Sequence, residues 1–563
     1  MSTPAGPLLV FGPRSTTYDF GSRHPLTPLR FGPGIDLLRS VGAEPGLAPE
    51  PAVDAALLGL HRPEYIAAVR RLSADPGGPG EMGLGTSDNP AFAGMHEAGA
   101  MVAGGSLAAM EAILRGDAEH AHHPGGGLHH AMAARAWGFC LYNDVALAVV
   151  RARAAGLRVL YVDLDVHHGD GVAALTFDDP GVLTVSLHES GRFLFPQTGF
   201  PDELGRGAAA GTAVNMPFEP YAGDPSWLPA VRALVPVLGA VFGPDVIVSQ
   251  HGADAHAWDP LADLRVTTAA MAEAARIVDG VAHRWAEGRW LATGGGGYDA
   301  YRVVPRAWAL TWLAGAHRHP EAATPPAWRD RWEADAAAFG TPGMPGAFLD
   351  PPNCGQPVAD GQRTADDRST ATLAQVRAAV LPRLVREAQD RGWWAPSLAW
   401  AGERVLAGRA PDRSAPRLRI APRTIAPFDP ADAADLLAAA SRAGARIEVH
   451  EVDGVVVGVA VAAPSVTEPA TESLLALGVA PAHRRRGLGQ ELLRRLVAGR
   501  PPRTAMEARI GVAERDVVEP AALDVRLEAA RRLLAGADFE LRPTPADIGR
   551  FDPSTVIARL SAG

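Results

Sequence analysis

The chain has 563 residues, more than one ordinary domain holds, and its 47% hydrophobic and 21% charged residues are globular composition. A net charge of −10 without a basic tail argues against nonspecific nucleic-acid binding, which needs a basic face. No apolar run reads as a bilayer span, Met1–Pro7 lacks the pattern of a signal peptide, and two cysteines, Cys140 and Cys354, fit a reducing cytoplasm.

From Leu8 to about Trp312, short β-like runs alternate with Ala-rich helical stretches. Val159–Leu164, Val182–Leu187, Asp245–Gln250 and Trp290–Thr293 are nearly all apolar, as expected of parallel strands covered on both faces. Helices are predicted between them, among them Ala98–Leu114 and Val266–Ala286. The class is α/β, a three-layer sandwich with a mostly parallel sheet. Thr370–Arg391 reads as a further helix, packing back on this first domain. Gly408–Pro416 is a Pro-, Asp- and Ser-rich break. The pattern then changes. Asp429–Ala440 and Gly489–Val497 read as helices, and Ser473–Val479 as a strand. Arg446–Val452 and Val455–Ala460 flank Asp453-Gly454, a two-residue hairpin signal. This predicts a separate α+β domain. The expected division is 1–395, a linker at 396–417, and 418–563.

Charged residues at the end of a buried strand are costly unless they bind something. Asp163, Asp165 and His167 follow the strand Val159–Leu164 at alternate positions, which on an extended backbone face one side. The strand Asp245–Gln250 runs into His251-Gly252-Ala253-Asp254. One imidazole and two carboxylates suit zinc with an open position; iron(II) or cobalt(II) also fits. Gly125-Gly126-Gly127-Leu128 leads into His129-His130, and Gly294–Gly297 leads into Tyr298. Both glycine runs let the backbone come close to a ligand.

With Gly138-Phe139-Cys140, Asp163-Leu164-Asp165-Val166-His167-His168-Gly169-Asp170-Gly171, Ser186-Leu187-His188, Gly252-Ala253-Asp254 and Gly295-Gly296-Gly297-Tyr298 in that order, the chain resembles the zinc-dependent histone deacetylases and bacterial acetoin-utilisation deacetylases of the arginase/deacetylase superfamily. The resemblance spans roughly Leu8–Ala316. The single Asp of Gly252-Ala253-Asp254-Ala255-His256 favours a mononuclear deacetylase over a dinuclear arginase.

The resemblance implies roles. Asp165, His167 and Asp254 hold the metal. His129 pairs with Asp163, and His130, the general base and acid, with Asp170. Tyr298 donates to the oxyanion, a contact worth about 2.7–4 kcal/mol in comparable sites. Phe139 and Phe195 wall the substrate slot, Asp88 holds substrate backbone amides, and Arg30 lies at the acetate exit. Asp163, Asp165, His167, Ser186 and Leu187 match a structural potassium site. Leu261 stands at the gatekeeper position where polyamine deacetylases carry Glu, which favours acyl-lysine. Glu189–Leu194 departs from the eukaryotic pattern at the rim.

In the second domain, a strand runs into Arg484-Arg485-Arg486-Gly487-Leu488-Gly489 and then a helix. Backbone N–H groups and a helix N-terminus make an anion site suited to a pyrophosphate. The segment resembles the acetyl-CoA-cradling motif of GNAT N-acetyltransferases, over about Leu418–Arg542. Leu534 stands where that family often has a proton-donating Tyr, which implies slow transfer or acetyl-CoA sensing. Glu472 is a candidate base, or an exposed, solvated strand end.

The leading expectation is a cytoplasmic zinc-dependent protein lysine deacetylase fused to a GNAT-like domain, with an acyl-CoA synthetase as a possible protein substrate. A deacetylase of small acetylated amines such as acetylpolyamines and an acetyl-CoA-sensing regulator are the alternatives. No nucleic-acid or membrane partner is expected. The sequence contains no lysine, so all 53 basic residues are arginine. Arginine keeps its proton at physiological pH, and the chain cannot be acetylated on its own side-chain amines.

Overall fold

The structure is a computed structural model. It describes residues 6–351, 354, 359–390, 424–425, 428, 436, 439, 445–453, 455–464, 471–501, 504–511, 531–542 and 555–560. The expected linker 396–417, the break Gly408–Pro416 and most of the expected helix Asp429–Ala440 lie outside these residues. The chain divides into two compact units, one of Met1–Val235 with Gly243–Val380, the other of Pro236–Phe242 with Leu381–Gly563.

The first unit holds eight strands: β1 (Leu8–Val10), β2 (Pro45–Leu47), β3 (His120–His123), β4 (Val159–Asp163), β5 (Val182–Glu189), β6 (Ala213–Phe218), β7 (Val246–Gln250) and β8 (Trp290–Thr293). All pairings are parallel, in the order β2-β1-β3-β8-β7-β4-β5-β6. The side-chain alternation of a strand sends neighbours to opposite faces. Val10 packs with Tyr161, Val248 and Leu291 under the helices Met95–Arg115 and Asp144–Ala154. Its neighbour Leu9 packs with Phe31, Trp308 and Trp312 from the helices Phe31–Ser40 and Val304–Gly315. Helices therefore cover both faces, the three layers expected from strands with no polar side. Every residue of β4, β5 and β7 is buried.

The helices Met95–Arg115 and Asp224–Phe242 correct the reading that nothing could span a bilayer. By length and hydropathy both are apolar enough to cross one, and 72% of each apolar window is buried in the fold. The expected helix Thr370–Arg391 is real but starts earlier, at Ala359, and runs to Asp390.

The second unit has a mixed seven-stranded sheet. Its strands are β9 (Thr424–Ile425), β10 (Arg446–Val452), β11 (Val455–Pro464), β12 (Thr471–Val479), β13 (Ala505–Gly511), β14 (Glu540–Arg542) and β15 (Thr555–Leu560). The main path is β10-β11-β12-β13-β15-β14, with β9 beside β11. β10 and β11 form the expected antiparallel hairpin, and Asp453 at its turn has φ +52°, the left-handed conformation such turns require. β12 and β13 are parallel and pair only from Thr471 to Leu474, so the last residues of β12 run on without a β13 partner among the described residues. The helix Leu488–Ala498 packs Leu492, Leu493 and Leu496 into this unit's core.

Candidate active site

β3, β8, β7 and β4 are consecutive neighbours in the sheet. Because all run the same way, the four segments singled out in the sequence leave the same edge, where open α/β sheets bind ligands. β3 leads to Gly125–His130, β4 to Asp165–Asp170, β7 to Gly252–Asp254 and β8 to Gly294–Tyr298.

The expected strand alternation of Asp163, Asp165 and His167 holds only as far as Asp163. β4 ends there and the chain bends through 165–167. Asp163 thereby turns to His129, and Asp165 and His167 meet Asp254. His167 Nδ1 lies 3.1 Å from Asp165 Oδ1 and 3.2 Å from Asp254 Oδ2. All three residues are buried. One imidazole N–H cannot fully serve two carboxylates, and burial together with the Asp165 charge pushes Asp254 up to about 6. Burial alone would lower His167, but hydrogen bonds to Asp165 and Asp254 raise it well above its ordinary value. Two buried carboxylates and one imidazole nitrogen form a donor set that fits a divalent cation with room for a further ligand.

The other carboxylate lone pairs are already placed. Gly296 N and Gln250 Nε2 donate to Asp165 Oδ2 at 2.8 and 3.1 Å, and Val166 N donates to Asp254 Oδ1 at 3.0 Å. Such outer contacts orient metal ligands. A Cβ on Gly296 would collide with Asp254, one on Gly252 with Asp165, and one on Gly169 with Asp163. The glycines are there because the carboxylates lie against the backbone.

Beside this set stand two His–Asp pairs. His129 Nδ1 is 2.8 Å from Asp163 Oδ2, which also accepts from the Tyr161 hydroxyl at 2.5 Å. His130 Nδ1 is 2.6 Å from Asp170 Oδ1, and Trp137 Nε1 donates to Asp170 Oδ2. The two Nε2 atoms face each other at 3.0 Å. Burial disfavours charge on both rings; Asp163 and Asp165 overcome it at His129, raised to about 9, whereas burial and the His129 charge push His130 down to about 4. One ring is therefore charged and the other neutral at neutral pH.

Tyr298 is buried, with its ring edge-on to Phe139 at 6.0 Å. Burial and the nearby Asp254 and Asp165 hold its pKa well above 10, which keeps the hydroxyl a donor. Phe195 packs edge-on to His130 at 5.0 Å and to His167 at 6.2 Å. Phe139 has φ +66°, costly for a residue with a Cβ, and Gly138 before it has φ +53°, where a Cβ would strike the His130 ring. Asp88 Oδ2 accepts from Gly138 N at 3.1 Å, tying the rim to this turn. Arg30 is buried beneath, donating to the Gly295 carbonyl at 2.9 Å and lying over Trp308. Leu261 is exposed at 36%, with its amide bonded to Asp259. Ser186 pairs with Asp163 across β4 and β5, so the residues of the expected potassium site share one corner of the sheet, with Leu187 following.

The histone deacetylase domain matches residues 24–314. The chain belongs to the histone deacetylase family. Its deacetylase part is 41% identical over 358 residues to the acetoin utilization protein AcuC of Bacillus subtilis, covering 62% of this chain and 92% of that one. The Staphylococcus xylosus protein of the same name is 36% identical over 332 residues, covering 58% and 86%. A solved histone deacetylase homolog from Aquifex aeolicus superposes with a TM-score of 0.55 at 27% identity, over 65% of this chain and all of that one. The acetyltransferase (GNAT) family matches residues 416–512. The chain is thus a deacetylase-family hydrolase joined to a GNAT domain, and its family implies a metal ion.

Several supports of this site were not among the residues singled out in the sequence. Asp144 accepts from Leu128 N at 2.7 Å, Gly127 N and the Ser106 hydroxyl, anchoring the loop that carries His129. Asn143 caps the helix Asp144–Ala154 and donates to the His129 and Ala131 carbonyls. An Asn-Asp pair opening a helix was the available signal. Asp259 accepts from Tyr298 N at 2.8 Å, and burial with the Asp254 charge raises its pKa well above the usual range.

In the GNAT unit, Arg484–Gly487 form an exposed turn before the helix, with Arg485 at φ +63° and Gly487 at φ +79°. Arg484 Nε donates to the Val479 carbonyl at 2.9 Å. Leu488 and Gly489 open the helix; a Cβ on Gly489 would meet only ordinary contacts. Glu472 is corrected on both counts. It is buried and forms a two-pronged ion pair with Arg446 at 2.8 and 2.7 Å, so it is neither solvated nor free to act as a base. Leu534 is fully buried in the core of the unit.

Proposed function

We propose that the first unit hydrolyses acetyl-lysine amides in proteins and that Asp165, His167 and Asp254 hold a Zn2+ ion, with Fe2+ or Co2+ as substitutes. The observation that carries this reading is the meeting of those three side chains beside the His129–Asp163 and His130–Asp170 pairs. A bound ion supplies Lewis acidity, polarising the acyl carbonyl and acidifying water. His130, neutral at its outer nitrogen, takes the proton of the attacking water as the C–O bond forms. It returns that proton to the amine as the C–N bond breaks, leaving acetate and free lysine. Asp170 holds the ring orientation, and charged His129 steadies the negative charge that develops nearby. Tyr298 donates its hydroxyl proton to the acyl oxygen. Phe139 and Phe195 flank an aliphatic stem, Asp88 takes substrate amides at the rim, and Arg30 beneath receives acetate. A potassium ion beside Asp163, Asp165, His167, Ser186 and Leu187 braces the corner.

An exposed Leu261 at the rim offers no charge to a second ammonium, which favours lysine over a polyamine. Two free cysteines suit a reducing cytoplasm. The second unit binds acetyl-CoA at Arg484–Gly489. Its support is the helix start after an exposed, basic, left-handed turn, beside the end of β12 that has no β13 partner among the described residues. Transfer is slow, because buried Leu534 cannot return a proton to the thiolate. The deciding experiment measures metal content of the full chain, then turnover of acetyl-lysine peptides and an acetylated acyl-CoA synthetase against acetylated polyamines. Higher kcat/KM on polyamines overturns the protein-substrate reading.

A further inference from the structure

At the opposite edge of the first unit's sheet, away from His129 and His130, four side chains from three distant segments converge. His120 opens β3, Asp279 and His283 lie one turn apart near the end of the helix Thr268–Trp285, and His317 follows the helix Val304–Gly315. His283 Nε2 is 3.0 Å from His120 Nε2 and 2.8 Å from His317 Nε2. Asp279 Oδ1 lies 3.4 Å from His120 Nε2, 3.4 Å from His283 Nε2 and 3.3 Å from His317 Nε2.

Hydrogen bonds alone do not account for this. An imidazole nitrogen carries at most one proton, yet His283 Nε2 faces two other Nε2 atoms and a carboxylate oxygen at once. The carboxylate contacts exceed the ordinary N–H···O range of about 2.7–3.2 Å. These three contacts do match the edges of a tetrahedron, whereas the two imidazole–imidazole distances, 3.0 and 2.8 Å, are shorter. Zinc bonds of about 2.0–2.1 Å place ligand atoms about 3.3–3.4 Å apart.

Two further features point to a cation. Both helices bring their C-terminal ends here, where the helix dipole favours positive charge. His317 sits at φ +53°, a costly conformation for a residue with a Cβ, and strain of this kind marks sites where it is used. His120 packs edge-on against buried Trp290, a dry wall on one side, while the His317 side chain is 43% exposed and leaves a way in.

We propose that His120, Asp279, His283 and His317 form a second metal site that takes a zinc-class divalent ion. Three imidazoles and one carboxylate exclude calcium and magnesium, which demand oxygen ligands. Four protein ligands close the tetrahedron, so the ion is structural. It clamps the start of a central strand to two helix ends, and its binding energy stabilises the fold. The group His256, Asp350 and Cys354 is unlike it. There Asp350 is already neutralised by Arg306 at 2.6 Å and saturated by Thr268, and Cys354 Sγ stands 3.8 Å from His256.

The test uses full-length protein and elemental mass spectrometry after zinc loading and desalting. This site goes beyond the proposed catalytic ion and is counted separately from it. Wild type is expected to hold two ions per chain, Asp254→Ala one, His283→Gln one, and the double variant none. His317→Gln, changed at the exposed end, gives the same loss as His283→Gln should that variant fold poorly. Cobalt loaded into Asp254→Ala should give the intense visible bands of tetrahedral cobalt, absent from the double variant. A chelator should lower the melting temperature of Asp254→Ala but not of the double variant. One ion in wild type, retained in both His283→Gln and His317→Gln and lost in Asp254→Ala, overturns the proposal. One ion lost in His283→Gln but kept in Asp254→Ala sustains it and instead removes the catalytic-ion reading.

Discussion

The catalytic edge of the deacetylase unit and the Arg484–Gly489 turn of the GNAT unit are built from the same local plan, a strand running into a loop that feeds a helix. They treat charge in opposite ways. At the catalytic edge, Asp163, Asp165, Asp170 and Asp254 are buried and each is paired within the chain. In the GNAT turn, Arg484, Arg485 and Arg486 are exposed. Burial makes a partner obligatory, so the first site is organised before any substrate arrives. Exposure leaves the second without that internal organisation.

The largest effect should come from removing a member of the paired set. Asp254→Ala or His167→Ala should abolish both the catalytic ion and turnover, since each deletes one of the three proposed protein ligands. A variant that keeps wild-type turnover would break the comparison at its stronger end. Next, Tyr298→Phe should preserve fold and metal yet lose about 10²–10³ in turnover, because only the oxyanion donor goes. A change within twofold would make Tyr298 structural. In the exposed turn, Arg485→Ala should weaken CoA binding in calorimetry and leave deacetylation untouched. Absence of CoA binding in wild type would remove the transferase and sensor readings together.

The smallest effect concerns Glu189, whose Oε2 accepts from Asp263 N at 2.8 Å. Burial pushes this carboxyl up to about 7. Its folded form holds the proton more tightly than the unfolded chain, so stability is greatest below the ordinary glutamate value and falls as pH rises to about 7. The cost is at most roughly 3 kcal/mol. Glu189→Gln should flatten that slope in denaturation midpoints between pH 5 and 7.5. An unchanged slope would mean the carboxyl ionises freely.

Much of the catalytic edge was legible because its polar residues interrupt otherwise apolar strands. Four glycines before Tyr298 and three before His129 announce a close backbone approach. β3 was not legible. Three of its four residues are histidines, polar by composition, yet His120, His122 and His123 are all buried at the middle of the sheet. Burial pushes His122 and His123 to about 3, so both stay neutral and tolerate the interior. The pairing of Glu472 with Arg446 escaped notice because its partner is on another strand, 26 residues away. Asp259 was passed over for Leu261, its neighbour but one, since only a tertiary contact reveals that it carries Tyr298. The His120–Asp279–His283–His317 group spans nearly 200 residues of sequence, and no local pattern joins it.

Gly169, Gly252 and Gly296 also bear on how this chain can change over generations. Any single-nucleotide change that alters a glycine codon's residue adds at least one carbon, and at these positions that carbon falls on a carboxylate oxygen of Asp163, Asp165 or Asp254. Drift through intermediates is therefore closed at the floor of the site, where no half-sized step exists. The rim is different: Leu261 is exposed at 36%, so packing constrains its size less. Lineages carrying this scaffold should diversify in what they admit while their reacting centre stays frozen.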